Sequence, residues 1–309
     1  MSEMQCAAAV LMVRPARFGY NEQTAASNEF QHRDAAHSAA APRQALAEFD
    51  ELAGRLREAG VQVIVAEDSP DPAKPDAVFP NNWLSFHADG TVVLYPMLAP
   101  NRRLECREEI IEQVRIEGGF HIGRRVDLRD HERAGRFLEG TGSLVLDRPG
   151  RRAYACLSPR TDLGVLGDFA QRLDYDPVTF DAEGPGALPV YHTNVLMALG
   201  AEFAVLCTEA LPDAAQRAAV LAMLQASGRE ILEISMRQLR GFAGNLLELR
   251  GRGGPLITLS ATAWDVLDPS QRALLERHGR ILVARIPTIE TLGGGSVRCM
   301  LAEIHLPRG

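Results

Sequence analysis

The feature that most constrains this chain is a landmark that returns at nearly fixed intervals. Asp76, Glu139, His192, Asn245 and Cys299 are separated by 63, 53, 53 and 54 residues, and each belongs to the opening of a short apolar run. The runs are DAVFPNNWLSF from Asp76, LEGTGSLVLD from Leu138, YHTNVLMAL from Tyr191, GFAGNLLEL from Gly241 and GGGSVRCMLAEI from Gly293. Most are answered by a second strand-like run: TVVLYPM from Thr91, RRAYACL from Arg151, EFAVLCTEA from Glu202 and PLITLS from Pro255. Asp89-Gly90 and Gly253-Gly254 supply the turn chemistry that hairpins need.

Amphipathic helices are expected to begin near Pro42, Leu104, Thr161, Pro212 and Pro269. In the first, Leu46, Phe49, Leu52 and Leu56 recur at steps of three and four and so share one face. Three of the helices end in a Leu, three residues, then Gly60, Gly228 or Gly279, as a left-handed C-terminal cap requires. Strands are expected to follow: VQVIV from Val61, EILEI from Glu230 and RILVARI from Arg280. A strand–strand–helix–strand unit repeated five times predicts an α/β ring. Closing such units removes long sheet edges and carries equivalent positions to a common axis. A layered α/β fold with a coincidental period is the alternative.

The 309 residues are 46% hydrophobic and 24% charged, an ordinary globular composition. Length alone suggests two domains, but a ring built of repeats predicts one over residues 1–309. The net charge is -7 without a dense basic tract, so the footprint of a nucleic-acid binder is missing. No apolar run approaches the roughly 18–20 residues a membrane span needs. Cys6 to Val13 lacks a basic leader and reads as a buried strand rather than the centre of a signal peptide. Five cysteines at wide spacing form neither a disulfide framework nor a zinc motif. Reduced thiols and a cytoplasmic protein follow. The oligomeric state stays open, a homodimer included.

A ring brings two acids, an imidazole, an amide and a thiol together. An imidazole near a thiol lowers the cost of the thiolate and carries protons, and a carboxylate orients the imidazole. Taken singly, each residue also has a structural reading. Cys299 reads as a core residue of an apolar strand, as Cys156 and Cys207 do. His192 reads as a hydrogen-bonded structural histidine, and Asp76 as a turn cap after Pro75. Glu139, between apolar runs in Leu-Glu-Gly-Thr-Gly, is harder to place on a solvated face. Gly293-Gly294-Gly295 looks like a phosphate loop, but no Gly-Lys-Ser/Thr follows.

The motifs together resemble the pentein superfamily: arginine deiminase, dimethylarginine dimethylaminohydrolase and the amidinotransferases. The nearest likeness is to its citrulline-utilisation hydrolase, or citrulline ureidase, branch. The resemblance runs from Val13-Arg14-Pro15 to the last strand and implies five ββαβ modules around a pseudo-fivefold axis. It implies Cys299 as nucleophile, His192 in His-Thr-Asn-Val as proton carrier, and Glu139 as the acid pairing with substrate and histidine. Asp76 in Asp-Ala-Val-Phe takes the place of the aspartate that grips the guanidinium. Arg160 in Ser-Pro-Arg-Thr-Asp, with Arg102 or Arg103, resembles the arginines that hold the substrate carboxylate. No metal or organic cofactor is implied, and the partner is a small amino acid.

Three departures bear on the substrate. The deiminase pattern Glu-Gly-Gly-Asp is here Glu139-Gly-Thr-Gly142, its His-x-Asp is His192-Thr-Asn194, and the acidic pair of dimethylarginine hydrolases is Asn81-Asn82. Lost negative charge points to a neutral ureide such as citrulline, hydrolysed at a C–N bond. An amidinotransferase, a deiminase or dimethylarginine-type hydrolase, and a silent amino-acid-binding ring are the alternatives.

Overall fold

The computed structural model describes residues 3–33, 40–184, 186 and 188–309. Among the described residues fifteen strands form five three-stranded sheets, each with its first pair antiparallel and its second pair parallel. Four modules run straight along the chain. They are β3 (Leu84–Phe86), β4 (Thr91–Leu94) and β5 (Arg124–Asp127); β6 (Val145–Asp147), β7 (Arg152–Cys156) and β8 (Asp176–Phe180); β9 (Met197–Leu199), β10 (Phe203–Leu206) and β11 (Glu230–Glu233); and β12 (Leu247–Gly251), β13 (Gly254–Ser260) and β14 (Arg280–Ala284). The remaining module joins the two ends of the chain. β1 (Ala9–Arg14) pairs in parallel with β2 (Gln62–Glu67) and antiparallel with β15 (Ala302–Glu303), in the register Val10↔Glu303 and Leu11↔Ala302.

Each parallel pair needs a crossover, and a helix supplies it. The five are Ala41–Glu58, Glu108–Ile116, Leu163–Leu173, Ala214–Ala226 and Pro269–His278, within a few residues of the predicted starts. In the first, Phe49, Leu52 and Leu56 are buried against β1 and β14 side chains such as Val10, Met12 and Leu282. Each such side chain contributes about 1.5–3 kcal/mol. Gly60 and Gly228 end their helices at φ +88 and +77, as expected. Gly279 does not: its φ of -179 is extended backbone, and the chain passes directly into β14.

Five tight turns precede the first strand of each module, and each closes with the same backbone bond. The amides of Asn82, Gly142, Val195, Asn245 and Cys299 donate to the carbonyls of Phe79, Glu139, His192, Phe242 and Ser296 at 2.8–3.3 Å. These turns pack against their neighbours and line the axis. Cys299 therefore stands on a helical turn, Val297–Met300, and not within a strand as the apolar run suggested. The evenly spaced landmarks also mix two positions of this turn. Glu139 and His192 open it, Asn245 and Cys299 close it, and Asp76 lies before it.

Candidate active site

Six buried polar side chains meet in one cavity: Asn82, His192 and Cys299 from the turns, Asp76 from just before the first of them, Arg102 from the short helix Pro100–Arg103 and Arg160 from the loop before Leu163–Leu173. Cys299 Sγ lies 3.3 Å from Asn245 Nδ2, and the Asn194 amide presents Nδ2 at 3.6 Å and Oδ1 at 3.8 Å. Across the cavity His192 Nε2 is 2.8 Å from Glu139 Oε2. Glu139 Oε1 accepts from the Leu98 amide at 3.0 Å, and Arg160 Nη1 donates to Oε2 at 3.4 Å. Burial opposes the charge on Glu139. Arg160, the His192 bond and Arg102 outweigh it and hold the carboxyl below the usual carboxylate range. Burial pushes His192 down to about 4, with the hydrogen bond and charge of Glu139 pulling upward against it. The imidazole is thus neutral at pH 7 and able to accept a proton.

Local sequence explains why this pair fits. Gly140 has φ +47, and a Cβ there would lie 2.3 Å from the Asn81 carbonyl oxygen. A Cβ on Gly142 would lie 2.7 Å from His192 ring atoms and 2.5 Å from Asn82 Nδ2. The aspartate that deiminases carry at this point of the motif has no room beside His192 here.

Asp76 Oδ2 accepts from Asn21 Nδ2 at 2.7 Å and Thr24 Oγ1 at 3.4 Å. Its Oδ1 is buried without a partner, a costly state for a carboxylate oxygen. Burial pushes this carboxyl up, against Arg102, Asn21 and Arg160. Arg102 is heavily engaged. It donates to both oxygens of Glu105 at 3.0 and 2.9 Å, to Asn82 Oδ1 at 2.8 Å and to the Phe79 carbonyl at 3.3 Å. Burial pushes Glu105 up to about 7, while Arg102 pulls it down. Arg160 is buried, which excludes a surface role. Its Nη2 donates to Ser27 Oγ at 2.8 Å and the Thr24 carbonyl at 3.2 Å, and its guanidinium lies 4.9 Å from the Tyr191 ring centre.

Four of the predicted residues do not line the cavity: Glu139 and Asn194 stand behind His192 and Cys299, and Arg103 and Asn81 lie further off. Arg103 is half-buried and donates to the Met97 and Leu98 carbonyls, facing Glu132. Asn81 lies one layer behind, bonded to Thr141 Oγ1 and accepting from Asn82 Nδ2. The sequence reading missed Glu105, although the Arg102-x-x-Glu105 spacing on one helical turn signals an ion pair. It also missed the segment carrying Asn21, Thr24, Ser27 and Asn28, which has no periodicity to mark it. Among the described residues no cluster of three or more His, Cys, Asp or Glu is placed to hold a metal, and no helix is long and apolar enough to cross a membrane.

Five ββαβ modules with these site residues at the axis define a pentein, the architecture of guanidino-group-modifying enzymes. Residues 14–306 match the family described as N,N dimethylarginine dimethylhydrolase, eukaryotic, and the chain belongs to it. This is a family of hydrolases acting on C–N bonds of guanidino groups. Among solved structures, the N-terminal domain of the cyanobacterial arginine dihydrolase ArgZ, in a variant covalently bound to a reaction intermediate, superposes with a TM-score of 0.74 at 19% identity. That match covers 97% of this chain and 99% of that one. Full-length apo ArgZ gives 0.73 at 19% identity over 97% of this chain and 41% of its own, so this chain spans about two fifths of the full-length protein. A dimethylarginine dimethylaminohydrolase bearing an S-methyl-L-thiocitrulline adduct gives 0.64 at 16% identity over 98% and 100% of the two chains. No curated protein matches by sequence.

Proposed function

We propose that this protein is a cysteine hydrolase of a small ureido amino acid, cleaving citrulline to ornithine through a covalent intermediate on Cys299. One observation supports the neutral substrate above the others. Asp76 is the only carboxylate lining the cavity, among the described residues, and its Oδ1 lacks a partner while Oδ2 is taken; both oxygens of Glu139, behind His192, are engaged. A guanidinium offers N–H groups on every side and wants acceptors around it. A ureido group pairs N–H donors with one carbonyl oxygen, which suits a wall of one open acceptor and several amides.

In this reading the Cys299 proton passes to neutral His192, and the imidazolium is held by Glu139. The thiolate adds to the ureido carbon. The bond from that carbon to the ornithine nitrogen breaks, and His192 returns the proton to the departing amine. Water, deprotonated by His192, then cleaves the S-carbamoyl group, giving carbamate and the free thiol. We expect a higher kcat/KM for citrulline than for arginine, with ornithine as product. Turnover of arginine to citrulline and ammonia with citrulline inert refutes the reading. ArgZ, an arginine dihydrolase, favours a second one, in which arginine is the substrate hydrolysed. Release of ornithine from arginine at a kcat/KM equal to or above that for citrulline identifies it.

Arg160 is the carboxylate ligand in this proposal, because guanidinium and carboxylate fit bidentately and Arg160 lines the cavity. Arg160→Ala is expected to raise KM for citrulline and arginine far more than for decarboxylated analogues such as agmatine. An equal effect on both assigns Arg160 to holding the Thr24–Ser27 segment instead.

A further inference from the structure

Asn245 carries a fully buried amide whose orientation its neighbours fix. Its Oδ1 accepts from the Arg298 backbone N–H at 3.1 Å, and that N–H has no other role than donor. Its Nδ2 donates to the Asn194 carbonyl at 2.8 Å, an oxygen that only accepts. Flipping the amide would set two donors face to face and two acceptors face to face, each buried and unpaired. The second Nδ2 hydrogen therefore has one destination, Cys299 Sγ at 3.3 Å.

The Asn194 side chain differs. It presents both its Nδ2 and its Oδ1 to the same sulfur, so it serves a thiol or a thiolate equally. A thiol can both donate and accept, whereas a thiolate only accepts. A donor that cannot turn around favours the thiolate, the form that attacks carbon.

We propose that Asn245 is a catalytic residue: a fixed hydrogen-bond donor that stabilises the Cys299 thiolate and aims it into the cavity, while its other bonds pin the turn Val297–Met300. The inference rests on Cys299 being the nucleophile, as proposed above. It assigns the amide of the β12–β14 module a chemical part in the site, beside the acid, imidazole and thiol of the others.

The test is the iodoacetamide alkylation rate of Cys299 as a function of pH, read by mass spectrometry on the full chain. Asn245→Asp keeps an acceptor for the Arg298 amide and removes the N–H aimed at sulfur. Alkylation at neutral pH should fall at least tenfold, and the profile should move to higher pH by about one unit, the shift equal to a tenfold change in thiolate fraction. Asn245→Ala, which adds no charge, should move it the same way by less and serves if the aspartate variant does not fold. A structural role alone lowers turnover but leaves the alkylation profile in place, and that result overturns the inference. Failure of the parent reading looks different. There, Cys299→Ser retains turnover whatever the alkylation profile of the Asn245 variants.

Discussion

Cys299→Ser should abolish turnover while leaving the fold intact. Oxygen replaces sulfur at a site 3% exposed, and the serine hydroxyl still accepts from Asn245 and Asn194, so no buried donor is orphaned. The chemistry is what changes, because a hydroxyl without a strong base is a far poorer nucleophile than a thiolate at neutral pH. A variant retaining more than about a tenth of the wild-type rate, a barrier change of only ~1.4 kcal/mol, removes Cys299 from the role. Trapping the intermediate by mass spectrometry is the companion measurement, and the adduct is expected on Cys299. The other buried thiols are poor competitors: burial pushes Cys156 up to about 12 and Cys207 up to about 11. An adduct on either of them would displace the site from the axis.

His192→Ala should cost about 10²–10⁴-fold in kcat, the usual worth of positioned proton transfer. The wild-type pH profile carries a second expectation. Burial lowers His192 to about 4, against the Glu139 interaction, so the imidazole stays neutral and basic until the pH falls that far. Activity that needs the neutral ring is therefore lost as pH drops through about 4, not near the ordinary histidine value of about 6.5. A limb of kcat/KM near 6.5 that vanishes in the His192 variant would mean that Glu139 prevails over burial. Folding should show the complementary effect of this group. The unfolded chain takes up a proton on His192 below about 6.5 that the folded chain refuses until about 4, so this residue lowers stability as pH falls across that window.

Much of this architecture is legible in the sequence because each module must bury the same kind of face. The 3.6-residue periodicity of Leu46 to Leu56, and the turn residues Asp89-Gly90 and Gly253-Gly254, mark elements that local physics dictates. The spacing of Glu139, His192 and Cys299 then implies convergence, since a ring places equivalent turns at one axis. What the sequence hides is partner choice. Arg102 is as plausible a substrate ligand as Arg103 until the fold turns one onto Glu105 and Asn82 and the other toward Glu132. Asn21, Thr24 and Ser27 reach Asp76 and Arg160 from an irregular segment, where neither period nor motif predicts contact. Gly279 shows the limit of a local rule: it follows the same Leu-x-x-x-Gly pattern as Gly60 and Gly228, yet the close return of Pro255 and β14 draws it into extended backbone.

The pairing of β1 with β15 has a consequence for how the molecule comes into being. Strands from opposite ends of the sequence complete one sheet, and the turn bearing Cys299 leads directly into the later of them. A chain emerging from the ribosome can settle four hairpins and their crossover helices in order, since each needs only neighbours already made. The fifth sheet waits for the last strand and must close a loop almost as long as the chain, although the entropic cost of that closure grows only with the logarithm of its length. Until then Asp76, Glu139 and His192 surround an axis without a thiol. The turn bearing Cys299 is thus anchored only once β15 has paired with β1, and a chain lacking β15 leaves that turn without the sheet that fixes it.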